Sequence, residues 1–139
     1  MGLATAKLLA SRGASLSIAD MNKAASEQVV SILPGGSEKH MATTVDVRDG
    51  SAVESWIEGT VQRYGKLDGA VNMAGVLGSA SPVADLKSED FDFVLSVNLK
   101  GVFNCLHAQL KAMTTGSIVS NIDAGYPCRH EHEANHVVK

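Results

Sequence analysis

The sequence predicts an α/β fold in which a parallel sheet carries helices on both faces. Helical and strand patterns alternate strictly from residue 1 to residue 122, and this order is typical of crossover connections between parallel strands. Glycine or a Pro-Gly pair follows each of the first three helical patterns and marks its end. Apolar residues make up 45% of the 139 positions, which is enough material for one packed core.

Apolar residues at helical spacing, or in short runs bounded by turn residues, define eight elements. Helices are expected over 3–12, 22–33, 51–64 and 88–113, and strands over 14–20, 40–47, 67–75 and 116–122. Asn22 and Ser88 stand where N-cap residues are expected. Ser51 and Glu54 have the spacing of a capping box. The expected domain is residues 1–122, followed by a polar, His-rich tail over 123–139 without clear periodicity.

Composition excludes several classes of function. The net charge is −3 and no basic stripe is present, so we expect no nucleic-acid partner. The apolar runs are too short to cross a membrane. Cys105 and Cys128 do not make a disulfide framework, which favours the reducing cytoplasm.

Four short patterns stand where strands are expected to end or helices to begin, and a fifth lies within the helix expected over 88–113. They are Gly2, Asp20, Asp46-Val47, Asn72-Met73-Ala74-Gly75, and Asn98 within VNLKG. In this order and spacing they resemble the short-chain dehydrogenases/reductases, a Rossmann-fold family that uses NAD or NADP. The resemblance covers roughly residues 2–122, and Lys139. It implies an incomplete, Rossmann-like doubly wound parallel sheet without the family's first strand and C-terminal half, as in a truncated member.

The resemblance implies NAD as cofactor, with NADP as the alternative. Gly2 corresponds to the last glycine of the family's T-G-x-x-x-G-x-G turn, which packs helix against sheet. Asp20, 18 residues later, corresponds to the acid that binds the adenine ribose and repels a 2′-phosphate. It is otherwise an exposed residue that caps the next helix. Asp46 and Val47 correspond to the Asp-Val pair at the adenine, or otherwise to a solvated turn. Because the glycines upstream of Gly2 are not matched, we expect weak binding.

The central strand and helix supply three further candidates. Asn72 and Gly75 correspond to the first Asn and the Gly of the family's N-N-A-G, in which the Asn ties strands together and the Gly lets the backbone approach the cofactor. Met73 replaces the second Asn. Asn98 corresponds to the catalytic-site Asn that bends the central helix and holds a water in the proton relay. The alternatives are an ordinary strand exit and a tolerated polar residue on a helix face.

The match fails at the family's catalytic Ser and Tyr-x-x-x-Lys. Lys139 fits the Lys, which in the family binds the nicotinamide ribose and lowers the pKa of the Tyr. Asn135 stands four residues before Lys139, where the Tyr is expected, and Asn cannot act as a general acid near neutral pH. Asp123 stands where the Ser is expected. His136, after a one-residue slip, or Tyr126 would be a substitute.

Two functions therefore stay open at this point. One is NAD(P)-dependent hydride transfer between a small alcohol and a ketone. The other is a catalytically impaired or inactive module that keeps the scaffold for binding. A third interpretation is a truncated or misread gene product, because the sequence changes character at residue 123.

A separate motif, HEANH at His132–His136, has the H-E-x-x-H spacing of zinc peptidases. Such a site needs both His on a helix and a third ligand, usually downstream, where three residues remain. His130 or Cys128 stands upstream, but nothing forces a helix over 131–138. We expect no metal site, with adventitious metal binding by the tail as the alternative.

In the resembling fold, the missing first strand lies between the strands at 14–20 and 67–75. Either these two strands pair directly, or a gap remains between two unpaired edges. Open edges and the mostly apolar helix over 88–113 both favour association. We therefore expect a homo-oligomer or an aggregation-prone chain.

Overall fold

The computed structural model describes residues 1–79 and 81–121, and it has the predicted α/β class with parallel strands. The helices within these residues are α1 Gly2–Ser11, α2 Lys23–Ile32, α3 Gly36–Lys39, α4 Gly50–Tyr64, α5 Ser88–Leu95 and α6 Val102–Ala112. The strands are β1 Ser17–Asp20, β2 Met41–Thr44, β3 Gly69–Asn72 and β4 Ser117–Ser120. All eight predicted elements are present, although each observed strand is shorter than its predicted range.

The four described strands form two separate parallel pairs. β1 pairs with β2 from Ser17↔Met41 to Asp20↔Thr44. β3 pairs with β4 from Gly69↔Ser117 to Asn72↔Ser120. No ladder joins β1 to β3 within the described residues, so the alternative in which they pair directly is wrong and the gap remains.

A layer made by α4 and α6 connects the two strand pairs. Val53 and Ile57 of α4 are buried against Cys105 and Ala108 of α6. Buried Val45, next to β2, belongs to the same cluster, and partly buried side chains that pack against it include Ala19 of β1 and Leu67 before β3. The apolar core therefore lies between the strands and this helix layer, where burial of apolar area stabilises the fold most.

Polar side chains attach each strand pair to the helix layer. In the first pair, the Trp56 indole N–H donates to Ser17 Oγ at 2.7 Å, and Ser17 Oγ lies 2.8 Å from Thr60 Oγ1. In the second pair, Asn72 and Gln109 exchange two side-chain hydrogen bonds of 3.0 and 2.7 Å. Both residues are buried, so the paired amides satisfy groups that would be costly to leave unpaired.

Two predicted helix starts are wrong and one is confirmed. Asn22 caps α2, because its Oδ1 accepts the Ala25 N–H at 3.0 Å. Helix α4 is capped by Asp49 instead of Ser51, since the Asp49 carboxylate accepts the N–H groups of Ser51 and Ala52. Ser88 is the first residue of α5, and no side chain caps that helix.

The long predicted helix over 88–113 is continuous but contains a π-helical segment, Ser96–Gly101, between α5 and α6. Such segments widen one turn by a residue and occur often at functional sites. Helix α4 ends at Gly65, whose φ of 78° lies in the left-handed region that glycine adopts without strain.

No helix in the described part of the chain is both long enough and apolar enough to cross a membrane.

Candidate cofactor site

The predicted cofactor residues gather where the parallel strands end. Asp20 is the last residue of β1 and Asn72 is the last residue of β3. The Val45 N–H donates to the Asp20 carbonyl at 3.1 Å, which sets the segment after β2 beside the end of β1. In open α/β folds, ligands bind at this carboxyl edge of the strands. We call it the carboxyl edge below.

Asp20 presents an exposed carboxylate at the carboxyl edge. One of its oxygens accepts the Asn22 N–H at 2.8 Å, which fixes the turn between β1 and α2. Because Asn22 is the residue that caps α2, the alternative prediction that Asp20 caps this helix is wrong. The second carboxylate oxygen has acceptor capacity for a ligand hydroxyl.

Asp46 lies two residues beyond β2, and its carboxylate is bound by its own turn. Arg48 donates to it from the backbone N–H at 3.0 Å and from Nε at 3.0 and 2.9 Å, with a further contact from Nη2. The side-chain hydrogen bonds from Arg48 are the main cause that lowers the pKa of Asp46, and the backbone hydrogen bond adds to it. The pKa of Arg48 is raised in return. A ligand at the Asp46 side chain would have to share it with Arg48.

The guanidinium of Arg48 also lies over the Phe93 ring, 5.4 Å from its centre. This cation–π contact links the turn after β2 to helix α5. The turn is therefore held by an ion pair within itself and by an aromatic ring outside it.

Val47 packs against the π-helical segment. A Cβ placed on Gly101 would lie 2.6 Å from Val47 Cγ2, closer than real side chains tolerate. The Val47 carbonyl accepts a hydrogen bond of 2.8 Å from Asn104 Nδ2. Only glycine at 101 allows the predicted adenine-contacting residue to approach the helix this closely.

Asn72 is buried and fully engaged with the fold. Besides its exchange with Gln109, its Nδ2 donates to Ser120 Oγ of β4 at 3.1 Å. Both of its donor hydrogens are therefore used within the protein. This is the strand-tying geometry that the resemblance implies for the first Asn of N-N-A-G, and it places Asn72 behind the site instead of in it.

Asn98 holds the loop that follows β3. Its Oδ1 accepts the Val76 N–H and its Nδ2 donates to the Val76 carbonyl, both at 2.9 Å. A Cβ on Gly75 would lie 3.5 Å from Asn98 Oδ1. Asn98 is part of the π-helical segment, so the helix departs from α geometry at the predicted position.

Gly2 begins α1 beside the end of β3. A Cβ on Gly2 would lie 3.9 Å from the Met73 Cβ. No side chain caps the N-terminus of α1, and its first turn contains no acidic residue. The N–H groups of such a turn, together with the positive end of the helix dipole, are suited to an anion such as a pyrophosphate.

The predicted catalytic Lys139 lies outside the described residues. The same holds for the tail from residue 123 and for the residues weighed there as catalytic or metal-binding groups, namely Cys128, Asp123, Tyr126, His130, His132, Asn135 and His136. Within residues 1–79 and 81–121, no three His, Cys, Asp or Glu side chains cluster as metal ligands would.

Comparison with known proteins decides the family. A family model described as enoyl-(acyl carrier protein) reductase matches residues 1–131. The short-chain dehydrogenase/reductase aba4 of Botryotinia fuckeliana is 46% identical over 127 residues, covering 86% of this chain and 48% of that protein. The chain belongs to the short-chain dehydrogenase/reductase family. Levodione reductase of Leifsonia aquatica is 36% identical over 130 residues, and the alignment covers 90% of this chain and 49% of that protein.

Solved structures agree with this assignment. The crystal structure of levodione reductase superimposes with a TM-score of 0.78 at 36% identity, over 86% of this chain and 48% of that one. NAD⁺-bound xylitol dehydrogenase gives a TM-score of 0.81 at 34% identity, over 86% and 47%. The chain thus spans about half the length of the relatives it matches.

Sequence reasoning missed three residues that organise this edge. Arg48 lies two positions after Asp46, a spacing at which its side chain can bind the Asp46 carboxylate within the same turn. Asn104 follows Asn98 and Gly101 at three-residue intervals along one helix, which places all three on neighbouring turns. Gln109 gave a weaker signal, a polar residue in an apolar stretch.

Proposed function

We propose that the chain binds NAD along the carboxyl edge and serves hydride transfer between a small alcohol and a ketone. The observation that supports this most is the joint placement of four elements at one edge: the exposed Asp20, the Asp46–Arg48 turn, the Asn98-held loop and the uncapped start of α1. Together they provide a site for each part of an extended dinucleotide. NAD, when bound, supplies the carbon that accepts or donates the hydride.

The adenosine half is assigned to β1 and β2. Asp20 has a free acceptor oxygen for a ribose hydroxyl, and its charge opposes a 2′-phosphate. Met21, Asn22 and Lys23 follow it, so no Arg stands immediately after it to bind that phosphate. This supports NAD over NADP as the preferred cofactor. Val47, held against Gly101, would form the apolar surface beside the adenine.

The pyrophosphate and nicotinamide halves are assigned to α1 and to the loop after β3. The first turn of α1 offers uncapped N–H groups beside Met73. Next to it, Asn98 fixes the backbone of Val76 from both its N–H and its carbonyl. Glycine at 75 leaves that backbone accessible to a ring that lies flat against it.

The direct test is a calorimetric titration of the chain with NADH and with NADPH. We expect NADH to bind more tightly, and Asp20→Ser to weaken NADH while bringing the two affinities together. Glu27→Ser, a change of one exposed acid on α2, is the matched control and should leave both affinities unchanged. Equal affinities for the wild type, or no binding of either nucleotide, would contradict the proposal.

A second candidate is a nucleotide-binding module without hydride transfer. It is favoured by Asn135, which stands where the family has its proton-donating Tyr. The two functions differ in turnover, so nicotinamide absorbance is followed with a panel of alcohols and ketones. Two results together would identify the binding module. The wild-type chain would be folded and bind NADH without turnover, and the double variant Asp123→Ser, Asn135→Tyr would gain turnover. Turnover by the wild type would exclude it.

We also propose that the chain resides in the cytoplasm and associates with further copies of itself. Apolar side chains are exposed along one long helix, at Leu95, Leu99, Phe103 and Leu110. A second copy would remove this surface from water. Sedimentation of the wild type should show a dimer or larger species, and Phe103→Glu should shift it towards monomer; a wild-type monomer at all concentrations would refute this part.

A further inference from the structure

Asn104 holds the turn after β2 through its backbone. Its single amide nitrogen donates to two successive carbonyls, to Val47 at 2.8 Å and to Arg48 at 3.2 Å. The turn and the helix residue are 57 positions apart along the chain, counting from Val47. This contact is tertiary, and it reaches the backbone of both Val47 and Arg48.

The surroundings of Asn104 keep it in place. A Cβ on Gly50 would lie 3.5 Å from the Asn104 Oδ1. One turn earlier on the helix, Gly101 receives the Val47 side chain. The turn after β2 thus contacts the helix at two points. The Val47 side chain packs against Gly101, and the carbonyls of Val47 and Arg48 accept hydrogen bonds from Asn104 on the same helix face.

The Asp46–Arg48 ion pair alone would not fix the turn relative to the rest of the protein. Its hydrogen bonds connect residues within the turn, and they are partly exposed to solvent. The contacts from Asn104 instead connect the turn to a helix whose Cys105 and Ala108 lie in the core. Asn104 therefore fixes the turn relative to the helix layer, in addition to the backbone hydrogen bond from Val45 to Asp20 that sets it beside β1.

We infer that Asn104 is a positioning residue for the adenine end of the cofactor site. It holds Val47 and Arg48 in the arrangement that presents an adenine surface, so a ligand does not have to order the turn when it binds. This inference rests on the proposed function. It assigns Asn104 no contact with the cofactor and no part in proton transfer.

The test compares three variants by titration with ADP-ribose, which carries the adenosine and pyrophosphate without the nicotinamide. Asn104→Asp keeps the size of the side chain but replaces the donor by a carboxylate that faces two carbonyls. Asn104→Gln keeps an amide donor. Thr60→Val is the matched control, because it removes a hydroxyl that ties α4 to β1 and leaves the turn untouched.

We expect Asn104→Asp to weaken ADP-ribose binding about tenfold, the effect of losing hydrogen bonds of ordinary strength. Asn104→Gln should recover most of the affinity, and Thr60→Val should bind like the wild type even though it lowers the melting temperature. Amide hydrogen exchange over residues 46–49 should accelerate in Asn104→Asp alone, without any ligand.

The outcomes separate the two levels of the proposal. If the wild type binds ADP-ribose and Asn104→Asp binds it equally well, the positioning role is refuted and the proposed function stands. If Thr60→Val weakens binding as much as Asn104→Asp, the effect is one of general stability and the inference is again refuted. If the wild type binds neither ADP-ribose nor NADH, the proposed function fails and the inference fails with it.

Discussion

The β1–β2 half and the β3–β4 half of the molecule contain the same kind of strand pair but are covered to different degrees. In the first half, the residues of β1 and β2 are mostly half-buried, and His40 beside them is 1% exposed. In the second half, Val71 is 39% exposed and Val119 is 58% exposed. Two parallel ladders of equal length can therefore differ widely in how much water they exclude.

The polar contacts differ in the same direction. In the first half, His40 accepts the Leu16 N–H at 3.1 Å with Nδ1, and its Nε2 lies 2.9 Å from the Pro34 carbonyl. In the second half, the buried connection to the helix layer depends mainly on Asn72 and Gln109. Among the described residues, the first half is thus anchored to its surroundings by polar contacts at several points, whereas the second half relies chiefly on the Asn72–Gln109 amide pair.

The largest effect is expected where the two halves share their core. Ile57→Ala removes a side chain that is 3% exposed and should lower the free energy of unfolding by about 3 kcal/mol. Because α4 connects both halves, hydrogen exchange should accelerate in all four strands. Ile32→Ala on α2, where the side chain is 53% exposed, is the control and should cost well under half as much. Acceleration confined to β1 and β2 would mean that the helix layer does not couple the halves.

A smaller and more local effect is expected at the amide pair. Gln109→Leu leaves the Asn72 amide buried without its partner and should lower the free energy of unfolding by about 2 kcal/mol. The double variant with Asn72→Leu should be less destabilised than the sum of the two single changes, since it removes both polar groups. Chemical denaturation of the four proteins measures this coupling. Additive changes would show that the pair does not anchor the second half.

The smallest effect is expected in the turn after β2. Asp46→Asn removes the ion pair with Arg48 and should cost no more than about 1 kcal/mol at neutral pH, because the pair is partly exposed. The pKa of Asp46 is lowered in the folded state, so its contribution is present above the ordinary value of about 4 and is lost as the pH falls through the lowered pKa. The stabilities of wild type and variant should therefore converge in acid. The control is Asp68→Asn, which removes an exposed carboxylate that pairs with Lys66 outside this turn.

The eight main elements could be predicted because each is specified locally. The helical period of α4, the glycine at 65 and the alternation of patterns do not depend on distant parts of the chain. The start of α4 was harder, because Asp49 and Ser51 are both good caps two residues apart. Which of them is used depends on the path of the turn after Asp46, and that path is set by tertiary contacts. The four-residue α3 and the π-helical segment gave no periodic signal of their own.

In the candidate site, too, the features specified locally could be predicted and the tertiary contacts could not. Asp20 and Asn72 are the last residues of β1 and β3, and Asp46 and Gly75 lie two and three residues beyond β2 and β3, as expected where parallel strands bring their carboxyl ends to one edge. The long-range contacts at this edge were not foreseen, because Arg48 with Phe93, Asn104 with Val47 and Gln109 with Asn72 join distant segments. A sequence pattern indicates where a polar side chain stands, but only the folded neighbours show whether it is available to a ligand. Asn72 illustrates the difference, as its donors are used inside the protein.

The separation of β1 from β3 has a consequence for how the protein can be handled. Within the described residues every strand has only one neighbour, so each of the four offers a row of backbone groups to another chain. A continuous four-stranded sheet would offer only two such rows. Intermolecular pairing should thus grow steeply with concentration even while each molecule remains folded. Solubility, and not melting temperature, is then expected to limit purification.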